Sequence, residues 1–151
     1  NIRNYRKELV MSNVTPKWIP RSYPRIADEK NAIERYKLAL LNAVLTSSHD
    51  STKAMISLKI AWMFRLLNDN VSEMSFLRQA LEGFRNAYQN EPFPIYGLQR
   101  DSLTYLIGDL NRRAGNEDEA LLWLSKTIVN TNASHRVKEM ARTIKDLIKN
   151  K

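Results

Sequence analysis

No cysteine occurs among the 151 residues, which excludes disulfide frameworks, thiol catalysis and every zinc site built on thiolates. Histidine is almost as scarce. His49 and His135 are the two present, and no spacing resembles a transition-metal site. Long apolar runs are missing as well: none is longer than Ile60 to Phe64, which closes at Arg65, far short of the roughly 20 residues of a membrane span. No signal-peptide pattern opens the chain, so a cytoplasmic protein without a membrane partner is expected. The opening Asn1 in place of Met leads to the expectation of a processed chain or a piece of a longer one. What is present suits one soluble domain, 17.6 kDa with 43% hydrophobic and 26% charged residues. A chain of this size buries roughly 70% of its unfolded surface and holds one core without staples.

The five prolines divide the chain. Pro16, Pro20 and Pro24 lie near the start and Pro92 and Pro94 fall together, leaving 25–91 and 95–151 free of proline. Proline removes a backbone donor and clashes with the preceding helical turn, so two helical blocks joined by one short loop are expected. Ahead of them, residues 1–26 read as a brief amphipathic helix carrying Ile2, Tyr5 and Leu9, then an extended linker whose Trp18, Ile19 and Tyr23 dock on the body. Residues 27–151 form the helical domain. Apolar residues there recur at helical spacing throughout. Helices are expected from Asp28 or Glu29 to Ser47, from Ser51 to Leu67, from Val71 to Tyr88, from Leu98 to Arg113, from Glu117 to Val129, and onward from Ser134. The second is apolar nearly all round and should be enclosed. The last should bury Val137, Met140, Ala141, Ile144, Leu147 and Ile148. Period-two alternation is absent, and no sheet is expected.

A repeat underlies this pattern. Ala120, Leu124, Thr127 and Ile128 share their spacing with Glu73, Leu77, Ala80 and Leu81, and with Ala32, Tyr36, Ala39 and Leu40. Twelve residues before Ala120 and Glu73 stand Gly108 and Ala61, small enough for two antiparallel helices to approach closely. Five residues before them stand Gly115 and Asn68, which tolerate the left-handed conformation that ends a helix. The unit at Ala32 lacks its leading helix. The expected fold is therefore all-α: stacked antiparallel helical hairpins, one incomplete and two complete, with an extra C-terminal helix.

The stretch 101–134, with Gly108, Gly115, Ala120, Leu124 and Ile128, resembles a tetratricopeptide repeat, a helix-turn-helix unit of about 34 residues. It departs from that pattern at Asn111, where an aromatic is usual, at Thr127, where alanine is usual, and at Asn132, where proline closes the repeat. The stretch 54–87 is similar, with Phe64 as the aromatic; Glu73 there stands where a small residue is expected and argues against a tight hairpin. Three segments taken in order, "NAIERYKLALLNA", "LKIAWMFR" and "LTYLIGDLNRRAGNEDEALLWLSKTI", resemble the helical half of a bacterial family, domain of unknown function 2225. The resemblance implies a zinc-ribbon-type cysteine segment upstream, which this cysteine-free chain would lack. It implies no established activity.

Little in the sequence carries chemistry. His49, Asp50 and Ser51 are triad residue types, but as chain neighbours they cannot serve one another as base, orienter and nucleophile; a turn explains them better. Glu117, Asp118 and Glu119 open a helix, where the dipole favours negative charge. Asn13-Val14-Thr15, Asn70-Val71-Ser72 and Asn132-Ala133-Ser134 match the glycosylation acceptor pattern and read as turns and caps. No cofactor, metal or catalytic residue is expected.

Charge is polarised toward the ends. Residues 1–26 hold six basic groups against one acid and residues 135–151 six against two, leaving 12 basic and 13 acidic groups between them. Such ends admit a nucleic-acid or phosphate-binding role as the alternative function. The favoured expectation is a module binding a protein or peptide. In tetratricopeptide hairpins the leading helices line a groove, and the matching positions are Met55, Leu58, Lys59, Trp62, Arg65 and Leu66, then Ser102, Tyr105, Leu106, Asp109, Arg112 and Arg113. Lys59, Trp62, Arg65, Tyr105, Asp109, Arg112 and Arg113 form the candidate groove, with cations beside aromatics holding a carboxylate. Core burial is the competing reading for Leu58, Trp62 and Leu66. Internal pairing with Asp69 or Asp109 is the competing reading for Arg65 and Arg112.

Overall fold

The computed structural model describes residues 25–150, with side chains from Lys30 onward. The expected short helix and docked linker of 1–26 lie outside the described residues, save that Arg25 and Ile26 already belong to a helix. Among the described residues six helices follow one another: α1 (Arg25–Leu45), α2 (Asp50–Leu66), α3 (Asn70–Asn90), α4 (Arg100–Arg113), α5 (Glu117–Val129) and α6 (His135–Lys149). Among the described residues no strand forms; the connector between α3 and α4 has one isolated bridge, Ile95 with Leu98. Each helix packs on the next, and α6 reaches back to α4 as well as α5.

The turns repeat one chemistry. α1, α2 and α4 each end on a left-handed residue, Ser47 at φ 53°, Asn68 at 58° and Gly115 at 84°. Behind each, two backbone donors turn back onto orphan carbonyls: Ser48 to Ala43 and Ser47 to Val44, Asp69 to Phe64 and Asn68 to Arg65, Asn116 to Asn111 and Gly115 to Arg112. This is the Schellman arrangement, which satisfies the last carbonyls while reversing the chain. The next helix starts at once. Asp69 caps α3 by accepting from the Ser72 backbone N–H and hydroxyl, which hold its carboxyl below the usual value. Ser134 caps α6 through Val137.

Between the helices the apolar faces join into one stack of clusters. Ala32, Ile33, Tyr36 and Ala43 of α1 meet Ile56, Ile60 and Met63 of α2. The opposite side of α2 joins Leu77, Ala80, Leu81 and Phe84 of α3 and Leu103, Ile107 and Leu110 of α4. Ala120 and Leu124 of α5 meet Ala141 and Ile148 of α6. The α2–α3 hairpin is tight despite Glu73, because the close approach is made elsewhere. A Cβ on Gly83 would lie 2.8 Å from the Ala54 Cβ. In α4–α5 the register expected from Gly108 is present, with Leu124 Cδ2 2.8 Å from where its Cβ would stand. The polar departures from the repeat are paired: Thr127 shares a 2.8 Å hydroxyl bond with Thr104, and Asn111 donates to the Ile107 carbonyl. One expectation fails on α6, where Met140 and Leu147 are exposed and Ala141 and Ile148 alone are fully buried. The helix meets α4 and α5 with one side, so its apolar stripe is wider than the surface that covers it.

Candidate functional site

The leading helices α2 and α4 carry the candidate residues, and their surroundings differ. α2 lies between α1 and α3, which enclose Met55, Leu58 and Lys59. The Lys59 ammonium sits 6.0 Å from the ring centre of Tyr36 on α1. A buried lysine is no groove cation. Trp62 is half-buried against the central cluster, and Leu66 is exposed. Arg65 donates from Nε to Glu73 Oε1 at 2.7 Å, bridging α2 to α3 across the turn. Its partner is thus Glu73 rather than Asp69, whose carboxylate is committed to the α3 cap.

On α4 four of the candidates come together. Asp109 accepts from Arg112 through Nε at 3.0 Å and Nη2 at 2.8 Å, and from Arg113 Nε at 3.1 Å through its other oxygen. Helical spacing of three and four residues makes this possible, since both guanidinium stems rise on the face that carries Asp109. Tyr105, four residues earlier, packs toward α5 and α6. Burial pushes its hydroxyl pKa up, Asp109 adds to the rise, and Arg112 and Arg113 oppose it. Two guanidinium groups sharing one carboxylate leave a surplus positive charge on a half-exposed face.

Other features stand outside the seven candidates. Glu91, in the α3–α4 connector, accepts from the Ser51 N–H at 3.0 Å and its hydroxyl at 2.6 Å, anchoring the start of α2 from forty residues away. Ser51 is therefore engaged by Glu91, with His49 as the N-cap of α2 and Asp50 and Ser51 as its first residues. Arg100 lies 4.3 Å from the Phe93 ring centre and Lys126 4.1 Å from that of Trp123, with Tyr88 between the two rings. A polar groove of about 440 Å³ lies between α3 and the α4–α5 turn, lined by Arg78, Glu82, Arg85, Asn86 and Gln89 on one side and Asn116 on the other. Helical periodicity exposes these outward polar positions in the sequence; their distances across helices are set by packing alone.

Among the described residues no three His, Asp or Glu side chains gather where a metal ion would sit, and no helix is long and apolar enough to cross a membrane. No curated protein and no solved structure matches the chain. A family model, described as an uncharacterized protein conserved in bacteria (DUF2225), matches residues 1–148. That span takes in all six helices, and the chain belongs to this bacterial family.

Proposed function

We propose that this chain is a tetratricopeptide-like scaffold that binds a protein or peptide in the cytoplasm and catalyses nothing. The observation that carries the reading is the Asp109 cluster. Arg112 and Arg113 share one carboxylate beside the phenol of Tyr105, with side-chain exposures of 26% and 38%. A partner carboxylate would meet guanidinium groups already oriented by Asp109, so little side-chain entropy is lost on binding. Arg65, matched one to one with Glu73, takes a supporting part by fixing the face of α2 beside Trp62. Helix hairpins with no assembled acid, base or nucleophile favour binding over catalysis.

The test is selection of peptides from a random display library on the immobilised domain. Enriched sequences should combine an acidic residue or free C-terminus with neighbouring apolar residues. Their affinity should fall about 10-fold or more in Arg113→Ala, in line with a charged hydrogen bond worth about 1.5–3 kcal/mol. No enrichment over an unrelated helical protein, or equal binding by the variant, would remove the proposal.

A further inference from the structure

α1 has two apolar sides, of which the other described helices cover one. Ala32, Ile33, Tyr36 and Ala43 face α2 and are buried. On the far side Leu38, Leu41 and Leu45 recur at i, i+3 and i+7, 67%, 54% and 74% exposed. The repeat supplies an internal control. Shifting by 41 residues, the offset between Ala32 and Glu73, carries Leu38, Leu41 and Leu45 onto Gln79, Glu82 and Asn86 of α3, all polar and all exposed. On α3 the water-facing positions of this register are polar, on α5 the Leu41 position is held by Val129, 74% exposed, and on α1 all of them are apolar. α3 and α5 each follow a leading helix, α2 and α4, whereas among the described residues nothing precedes α1.

We propose that residues 1–24 of this same chain dock on the Leu38–Leu41–Leu45 stripe as an intramolecular cover standing in for the missing leading helix. Ile2, Tyr5 and Leu9 repeat the i, i+3, i+7 spacing of the stripe, so two such rows can interdigitate. Reach is sufficient. The 15 residues from Val10 to Pro24 span up to about 50 Å when extended, while Leu41 lies roughly 24 Å along α1 from Arg25. A tethered segment also reaches the stripe at an effective concentration of about millimolar, which a second copy of the chain does not match in dilute solution.

The absence of cysteine makes the test direct. A single Leu41→Cys substitution in the full chain, on an exposed side chain, takes a benzophenone maleimide, and irradiation is followed by peptide mass mapping. Cross-links should fall within residues 1–24 of the same molecule, at monomer mass, and should recur from Leu38→Cys but not from Gln79→Cys on α3. Tyr5→Asp with Leu9→Asp in the Leu41→Cys chain should cut their yield several-fold while the helical circular dichroism holds. Cross-links chiefly at dimer mass would assign the stripe to a second copy and overturn the proposal. So would a yield unchanged by the two aspartates, or cross-links that avoid residues 1–24.

Discussion

Asp109 accepts from two arginines and Glu73 from one, and this difference decides how each responds to mutation. Glu73 is 14% exposed, so Arg65→Ala strands a nearly buried carboxylate and is expected to cost about 1–2 kcal/mol. Arg65→Ala with Glu73→Ala should recover part of that loss, because neither charge is then left alone. A double-mutant cycle in urea measures the coupling, and a value near zero would reduce the pair to an ordinary surface contact. Arg113→Ala leaves Asp109 still bound to Arg112 through two donors, and its stability should stay within about 0.5 kcal/mol. The recurrence of Arg65 and Arg112 is visible in the sequence. Their partners are not equally so: Asp109 follows from helical spacing, whereas Glu73 becomes available because the turn folds α3 back along α2 while Asp69 is held by Ser72.

At the scale of the element, two glycines that look alike in sequence should behave differently. A Cβ on Gly83 would meet the Ala54 Cβ at 2.8 Å and the Asp50 backbone oxygen at 3.1 Å, neither of which can rotate away. Gly83→Ala should therefore cost about 1–2 kcal/mol in urea unfolding, even though alanine is the better helix former by about 0.5–1 kcal/mol. At Gly108 a Cβ would meet Leu124 Cδ2 at 2.8 Å and Cγ at 2.9 Å, on a fully buried side chain that can shift only slightly. Gly108→Ala is expected to cost less than Gly83→Ala, because the contact is with a side chain, and Gly108→Leu to cost about 1–3 kcal/mol. An unchanged Gly83→Ala midpoint would mean that α2 and α3 are not wedged where Gly83 meets Ala54. Helix ends were the most legible elements, since Asn68 and Gly115 belong to the residue types that accept positive φ. Ser47, which ends α1 in the same way, carries no such mark.

For the whole molecule, the basic ends set a further expectation. α6 presents Arg136, Lys138, Arg142, Lys145 and Lys149 around a helix that meets the body with one side. Two of these are engaged, Arg142 by Glu139 and Lys145 by the Ser125 hydroxyl. Binding to duplex DNA or RNA should then be weak and sequence-independent, at about 10⁻⁴ to 10⁻⁶ M near physiological salt, and should fall steeply between about 50 and 200 mM. Fluorescence anisotropy with labelled oligonucleotides reads both quantities. A sub-micromolar complex with a defined sequence at that ionic strength would put the nucleic-acid reading ahead of the peptide one.

What the sequence by itself determined is local in origin. Proline positions bound the helical blocks, apolar spacing at 3.6 residues selects helix over strand, and small or left-handed-tolerant residues mark contacts and turns. These properties belong to a residue and its near neighbours, which is why the all-α fold and its hairpin order follow without tertiary information. Tertiary structure decided which amphipathic stripes find a partner. Lys59 is buried because α1 and α3 enclose α2, and Glu91 caps α2 because the connector returns to it. Leu147 is exposed because, among the described residues, α6 has neighbours on one side only. An amphipathic pattern states how much apolar surface a helix offers, whereas burial depends on the area the neighbouring helices present to it.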